Sequence, residues 1–210
     1  IRNYVLMGLQ PERQENLYNK YWYPMEQRFG QTEYTKSFDR FMRDYLTIKS
    51  DTGNIPNIDA VYREFKRYIV GKDIEQVISE VALYSKYFVR LAFPKPTDDI
   101  AIYRVMENIN TLKVDVAYPL LLEAFDDFER QNLVTREEFV EILSLVESYV
   151  IRRAIVGIPT NSMNKTFAQF KREIDKDDYL NSVKVAFIEL DGFRRFPKDD
   201  EFQNEFMVKD

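Results

Sequence analysis

The chain has 210 residues, of which 30 are Lys or Arg and 35 are Asp or Glu, and it contains neither histidine nor cysteine. This composition excludes histidine-based catalytic triads, cysteine nucleophiles, zinc fingers, HNH nucleases and HExxH metalloproteases from the chain. The net charge of −5 argues against a protein that coats nucleic acid over its whole surface, because phosphate binding requires clustered positive charge.

The pattern of apolar residues predicts a folded, all-α protein. Hydrophobic residues make up 45% of the chain and aromatic residues 15%, which is sufficient for a packed core. Apolar residues recur mainly at spacings of three and four, and hardly any segment alternates as a half-buried strand would. We therefore predict a single domain that is an irregular multi-helix bundle of about nine or ten helices. Because the sequence has no membrane span and no cysteine for a disulfide, we expect a cytoplasmic protein.

Three helices are predicted before the first loop. Residues 1–9 follow a helical pattern, and because they begin with isoleucine instead of methionine, we expect the chain to be part of a longer protein. A second helix begins at Pro11, ends before Gly30 and contains Pro24, which is expected to kink it. Ser37 is predicted to cap the third helix, whose apolar face consists of Phe38, Phe41, Met42, Tyr45 and Leu46.

Two helices are predicted between the loop at Gly53 and the Pro94-Lys95-Pro96 break. The apolar face of the first consists of Ile58, Val61, Tyr62, Phe65, Tyr68 and Ile69. The second helix covers residues 74–91. Because proline disfavours helical backbone at its own position and at the preceding one, we place an internal boundary of the domain near residues 94–98.

The clearest helix start in the sequence lies at Thr135. Thr135 and Glu138 form a capping box, in which each side chain accepts a hydrogen bond from the backbone N–H of the other residue. The apolar stripe that follows ends at Gly157 and Pro159, which are typical of a helix C-terminus. Four further helices are predicted at residues 102–112, 119–128, 163–174 and 180–190, with a short final turn at residues 196–202.

Carboxylates, lysines and tyrosines remain as candidates for chemistry, and their positions favour structural roles. The chain lacks the GxGxxG and GxxxxGKS/T motifs, so it has no common phosphate-binding loop. Glu64-Phe65-Lys66 matches the E-x-K motif of metal-dependent nucleases, but its helical pattern predicts a solvated helix face. Most acidic groups precede apolar helix runs and are interpreted as caps or solvated charges, namely Asp98-Asp99, Asp126-Asp127, Asp175 with Asp177-Asp178, and Asp199-Asp200. We therefore predict no catalytic residue, no metal site and no cofactor in this chain.

Basic residues form two clusters despite the acidic total. One lies on a single face of the predicted helix at residues 58–69, and the other surrounds the end of the capping-box helix and the start of the next helix. Forked guanidinium groups beside a helix N-terminus can hold phosphate or an acidic partner, although arginines in a last turn also suit the helix dipole. The candidate nucleic-acid or partner contacts are therefore Arg63, Lys66, Arg67, Arg152, Arg153, Asn161, Asn164 and Lys165.

The segments around the second cluster resemble a known family. Residues 147–154 (ESYVIRRA), followed by residues 157–161 (GIPTN) and by Asn164-Lys165, resemble the helical region of the GmrSD-type, modification-dependent (type IV) restriction proteins of bacteria. Further segments are similar in the same order, so that the resemblance covers nearly the whole chain. They are IRNYVLMGL (residues 1–9), YWYPME (21–26), FMRDYL (41–46), AYPLL (117–121), RFP (195–197) and DEF (200–202).

The resemblance implies that the chain is the middle region of a larger enzyme. In that family a preceding ParB/sulfiredoxin-like domain carries a DGQQR motif tied to nucleotide use and cleavage, and a following domain is an HNH nuclease. The resemblance therefore implies a parent that is a nucleotide-dependent DNA endonuclease, with an NTP and a divalent metal as its cofactors. Residues 191–195 (DGFRR) echo the DGQQR motif but lack both glutamines, so no catalytic role is transferred to them.

Three functions remain open at this point. The leading hypothesis is a non-catalytic helical connecting domain of an antiphage restriction protein, which orients the flanking domains of the same chain and can contact DNA. The alternative is a freestanding helical scaffold that binds a protein partner through the second basic cluster or through an aromatic surface. An enzyme that uses only carboxylates and lysine would require several acids to converge in one pocket with a bound cation. None of the three involves a membrane.

Overall fold

The computed structural model describes residues 1–97 and 99–208, which form α-helices with short 3-10 and π segments and contain no β-strand. The predicted all-α class, a multi-helix bundle of about ten helices, is confirmed. The chain divides into two compact units, Ile1–Val89 and Arg90–Asp210, and the division lies inside a helix. None of the helices in the described residues is both long and apolar enough to cross a membrane. Asp98, one of the predicted caps, lies outside the described residues.

The first unit, Ile1–Val89, has an aromatic core built on its longest helices. Its helices are α1 (Arg2–Leu6), α2 (Pro11–Leu17), α3 (Tyr23–Phe29), α4 (Gln31–Ile48), α5 (Val61–Tyr68) and most of α6 (Ile74–Ala92). Phe41 and Phe88 are fully buried, and their ring centroids lie 5.4 Å apart. Phe29 packs against both rings, with centroid distances of 5.9 and 5.8 Å. Tilted aromatic pairs at these distances stabilise a core beyond the area that they bury.

A π-helical turn, Tyr18–Trp22, joins α2 and α3 into one continuous helix. Pro24 has no N–H to offer to the carbonyl four residues earlier, and its ring crowds that carbonyl in a regular α-helix. The N–H of Tyr23 instead bonds the carbonyl of Tyr18, five residues back, which widens the turn before the proline. The widened turn lets the helix continue to Phe29 and end at Gly30, where the sequence predicts its end.

Helix α4 begins earlier than its predicted cap at Ser37. It follows directly after Gly30, whose φ of 75° is readily adopted by glycine, and Ser37 is buried inside the helix. Tyr34 lies in the additional turn and stacks against Phe38 with a centroid distance of 4.7 Å. This packing stabilises the start of α4 before Ser37. The spacing of the mostly polar residues there does not predict a helix. The prediction of Ser37 as a cap is therefore wrong.

The second unit, Arg90–Asp210, is organised around one long buried helix. Its helices are α7 (Ile100–Thr111), α8 (Tyr118–Glu129), α9 (Arg136–Val156), α10 (Met163–Gln169), α11 (Tyr179–Ile188) and α12 (Asp199–Val208). Helix α9 packs against α7, α8, α11 and α12. The predicted capping box is confirmed, since Thr135 Oγ1 accepts from the Glu138 N–H at 3.2 Å and Glu138 Oε2 accepts from the Thr135 N–H at 2.8 Å. Gly157 ends α9 in the left-handed conformation, as its position predicts.

Asp126 and Asp127 are neither caps nor solvated charges. Both lie in the last turn of α8 and are buried. Arg130 donates to the two carboxylate oxygens of Asp126 at 2.7 and 2.6 Å. The Tyr179 hydroxyl donates to Asp127 at 2.8 Å, and Lys176 forms an ion pair with the same carboxylate. The interpretation of this pair as caps is therefore wrong, because Asp126 pairs with Arg130 one turn later and the partners of Asp127 come from a distant part of the sequence.

Candidate nucleic-acid and partner contacts

Arg153, in the last turn of α9, is almost completely buried, with 1% of its surface exposed. Its Nη1 donates to the backbone carbonyls of Phe193 at 2.8 Å and Arg195 at 3.4 Å, and its Nη2 donates to the carbonyl of Pro159 at 2.6 Å. The guanidinium also lies 5.1 Å from the centroid of the Tyr149 ring. Burial lowers the pKa of the guanidinium, which nevertheless remains charged at neutral pH. Carbonyl dipoles and a ring face therefore take the place of a carboxylate partner.

Tyr149, one turn before Arg153, binds the same C-terminal segment. Its hydroxyl donates to the carbonyl of Arg194 at 2.7 Å, and its side chain is fully buried. The ring packs against Phe187 and Phe196 with centroid distances of 5.3 and 5.5 Å. Burial raises the pKa of the Tyr149 hydroxyl, so it stays protonated and continues to donate. Three consecutive carbonyls, at residues 193–195, thus accept hydrogen bonds from α9 side chains.

Arg152 completes this arrangement from the neighbouring position on α9. Its Nη1 donates to the Pro197 carbonyl at 3.1 Å, and its Nη2 forms an ion pair with Asp199 Oδ1 at 2.6 Å. Its Nε donates to Ser148 Oγ at 3.2 Å, and the guanidinium lies 5.1 Å from the centroid of the Phe202 ring. We call Tyr149, Arg152 and Arg153 the carbonyl clamp, because together they hold residues 193–199 against the end of α9.

Asn161, Asn164 and Lys165 lie apart from the carbonyl clamp in their interactions. All three are exposed around the start of α10. Asn164 Oδ1 accepts a hydrogen bond from the backbone N–H of Lys165 at 2.8 Å. In the part of the chain that the structure describes, no hydrogen bond or ion pair joins these three residues to Arg152 or Arg153. The second basic cluster that the sequence predicts is therefore divided into an arginine pair bonded within the protein and an exposed polar segment.

The other basic cluster lies on α5 and remains exposed. The side chains of Arg63 and Arg67 are 67% and 68% exposed, and both pair with Glu64, at 3.4 and 3.0 Å. Lys66 Nζ instead lies 5.1 Å from the ring centroid of Tyr4, on α1, and 5.5 Å from that of Tyr62. The Glu64-Phe65-Lys66 segment is thus helical, as its pattern predicts, with Phe65 buried and Lys66 exposed.

Tyr4 and Tyr62 are the residues of this surface that the sequence does not predict. Their rings form an edge-to-face pair with centroids 6.0 Å apart, and the residues are 42% and 49% exposed. Tyr62 is predicted to belong to the apolar face of its helix, but the buried stripe of α5 contains Val61 and Phe65 and leaves Tyr62 outside it. The sequence could have indicated this surface through the spacing of four residues between Tyr62 and Lys66, because this spacing places both side chains on one side of a helix.

These two tyrosines and the basic residues line one shallow depression of about 330 Å³. We call this surface the α1–α5 face and define it by its lining residues, which are Tyr4, Tyr62, Arg63, Lys66, Arg67 and Val70. Among the described residues, no group of three or more acidic side chains is arranged to hold a metal ion.

No protein-family model, no curated protein and no solved structure matches the chain.

Proposed function

We propose that this chain is a non-catalytic helical connecting domain of a bacterial modification-dependent DNA restriction protein that acts in antiphage defence. In this role it orients the nuclease and NTPase domains of the same polypeptide in the cytoplasm. The NTP and the divalent metal of the parent enzyme bind in those flanking domains. The exposed basic residues of the chain provide its contact with DNA.

The observation that carries the proposal is the convergence of three motif segments in the carbonyl clamp. The segments at residues 147–154, 157–161 and 195–197 are among those that resemble the GmrSD-type proteins. Arg153, from the first segment, donates to the carbonyl of Pro159 in the second and to that of Arg195 in the third. When residues from separate segments of one family pattern bond one another in the structure, their contacts support a role of these segments in shaping the domain.

The clamp also supports a connecting role through its position in the chain. It holds the segment that leads into α12 against the longest helix of its unit. A segment tied by several hydrogen bonds keeps a defined direction, whereas a free linker does not. The chain can therefore pass a fixed orientation to whatever follows α12.

The proposal is tested first on the gene and then on the protein. We expect the reading frame to encode a DGQQR segment upstream and a histidine-containing nuclease downstream of these residues. We also expect the isolated 210-residue chain to leave modified and unmodified DNA intact in the presence of Mg²⁺ and NTP, while the full-length protein cleaves modified DNA. A frame without those two domains, or cleavage by the isolated chain, would contradict the proposal.

A freestanding protein-interaction scaffold is the second candidate. It is favoured by Phe206, Met207 and Val208, large apolar residues at the end of α12 that are all exposed. Exposed apolar residues grouped on one helix end are typical of surfaces that bind another protein. A reading frame that starts just before Ile1 and stops after Asp210 would favour this function over the connecting domain.

A further inference from the structure

The α1–α5 face combines exposed cations with exposed aromatic rings, whereas the rings beside Arg152 and Arg153 are not exposed. It presents three cations, Arg63, Lys66 and Arg67, and the one carboxylate between them, Glu64, leaves a net charge of +2. The whole chain, in contrast, has a net charge of −5. A local positive field on an acidic protein selects for an anionic ligand at this place.

The cations are spaced and exposed as a chain of phosphates would require. Arg63 precedes Lys66 by three residues and Arg67 by four, and side chains at these spacings lie about 5–6 Å apart along one helix face. In the described residues no carboxylate lies within ion-pair distance of Lys66, so its charge is not neutralised inside the protein. Arg63 and Arg67 share a single carboxylate, which leaves most of their donors open to a ligand.

The tyrosines add a contact that phosphate alone does not use. Tyr4 and Tyr62 are each nearly half exposed, and the Lys66 ammonium lies against both rings. An ammonium held only by two exposed rings can exchange for another group that prefers an aromatic face. Val70, which is exposed beside them, extends the apolar part of the depression.

Aromatic rings beside cations distinguish among anionic partners. In a DNA duplex the bases are stacked on one another, so exposed tyrosines gain nothing from them. An acidic peptide can pair with the cations, but its carboxylates do not stack on a ring. An unpaired nucleotide uses both groups, because its base stacks on an aromatic side chain while its phosphate pairs with Lys or Arg.

We propose that the α1–α5 face binds single-stranded nucleic acid, with an unpaired base stacked on Tyr4 or Tyr62 and the adjoining phosphates paired with Arg63, Lys66 and Arg67. The base takes the place of the Lys66 ammonium on the ring, and the ammonium turns to a phosphate. The inference rests on the proposed function for the identity of the polymer, which is DNA in a restriction protein. It needs neither the carbonyl clamp nor the flanking domains.

The test uses the 210-residue chain and fluorescence anisotropy with a labelled 12-nucleotide single strand. The same sequence as a duplex and a labelled polyglutamate peptide are the competing ligands. We expect the single strand to bind most tightly at low salt, and Tyr62→Ala to weaken it by about fivefold or more, since one base–aromatic stack is lost. Tyr62→Phe, which keeps the ring, should bind within about twofold of the wild type, because stacking requires the π-face alone.

Salt dependence tests the phosphate contacts separately. Lys66→Ala should make the slope of log K against log salt concentration shallower by about 0.7, the value for one phosphate contact on a single strand. Lys184→Ala on α11 is the control and should leave both affinity and slope unchanged, because Lys184 pairs with Glu141 and is not among the candidate contacts. Circular dichroism establishes that each variant remains folded.

Equal or tighter binding of the duplex or of polyglutamate would overturn the inference, and so would unchanged affinity in Tyr62→Ala or no binding of the single strand at low salt. These outcomes are independent of the reading frame and of DNA cleavage. Failure of the inference is therefore distinguishable from failure of the proposed function.

Discussion

Arg153 and Lys66 both belong to the basic clusters that the sequence singles out, yet their surroundings are opposite. Arg153 is buried and donates to three backbone carbonyls. Lys66 lies over two exposed tyrosine rings at the surface of α5. The comparison shows that the forked guanidinium in the clamp acts inside the protein, whereas the α5 cations remain able to meet a ligand.

This difference has two physical causes, which are the number of N–H donors on each cation and the location of the carbonyl acceptors. The guanidinium has five N–H donors in a rigid plane, which can satisfy several carbonyls of a segment that lacks regular hydrogen bonds. Residues 192–197 form a short 3-10 turn (Gly192–Arg194) and an extended stretch before α12, and their carbonyls require such donors. The backbone carbonyls within helix α5 accept from its own N–H groups, so Arg63 and Arg67 pair instead with the Glu64 side chain at the surface.

The largest expected effect comes from Arg153→Ala. The change removes the guanidinium donors from the carbonyls of Phe193, Arg195 and Pro159, although Phe193 keeps a 3.4 Å hydrogen bond from Ser162 Oγ, and each hydrogen bond from a charged donor contributes about 1.5–3 kcal/mol. We expect the free energy of unfolding to fall by about 3 kcal/mol or more. Urea denaturation followed by circular dichroism measures this change. Arg63→Ala, on the exposed face, should change stability by less than about 0.5 kcal/mol.

A smaller effect is expected from Tyr149→Phe. The variant keeps the ring and its aromatic contacts but removes the hydroxyl that donates to the Arg194 carbonyl at 2.7 Å. The loss of this part-buried hydrogen bond should lower the free energy of unfolding by about 0.5–1.5 kcal/mol. Tyr62→Phe is the matched control at an exposed tyrosine. If the two variants unfold at the same urea concentration, the hydroxyl of Tyr149 does not hold this segment.

The smallest effect concerns the other end of α9, where Arg136 donates to both oxygens of Asp99 at 2.6 and 2.8 Å. This hydrogen-bonded pair lowers the pKa of the Asp99 carboxyl. Because the folded pKa lies below the unfolded value of about 3.9, the carboxylate stabilises the fold above that pH and loses this contribution as the pH falls through its folded pKa. The stability difference between wild type and Arg136→Gln should therefore shrink when the pH is lowered from 6 to 3.

Within the carbonyl clamp Arg152 pairs with Asp199, but the contacts of Arg153 should not respond to a fall in pH. Arg153 has no carboxylate within ion-pair distance among the described residues, and its acceptors are carbonyls that do not titrate. The destabilisation caused by Arg153→Ala should therefore be the same at pH 6 and pH 4. If Arg153→Ala destabilised the protein less at pH 4 than at pH 6, a carboxylate, and not the carbonyls, would hold the guanidinium.

Local rules predict the parts of the fold that depend on neighbouring residues. The Thr135–Glu138 capping box and the end of α9 at Gly157 follow from residues a few positions apart, and both are confirmed. The start of α4 is not predictable in this way, because Tyr34 is held by residues before Gly30: it accepts from Trp22 Nε1 at 3.1 Å and packs against Phe29. Helix boundaries that depend on such packing leave no periodic signal in polar residues.

The contacts of the candidate residues could not be predicted either, because their partners lie far away in the sequence. The sequence identifies Arg152 and Arg153 as a pair, but their acceptors lie about forty residues further along the chain, at Phe193 and Pro197. The exposed tyrosine pair likewise joins Tyr4 to Tyr62 across most of the first unit. Spacing along a helix predicts which side chains share a face, but not which distant segment covers that face.

Hydrogen–deuterium exchange with and without the 12-nucleotide single strand tests most directly whether the clamp arginines hold the fold while the α1–α5 face binds the ligand. We expect slower exchange on binding in peptides that cover α1 and α5, and no change in peptides that cover residues 149–165 and 192–199. Protection around Arg152 and Arg153 instead, with α1 and α5 unchanged, would contradict this account.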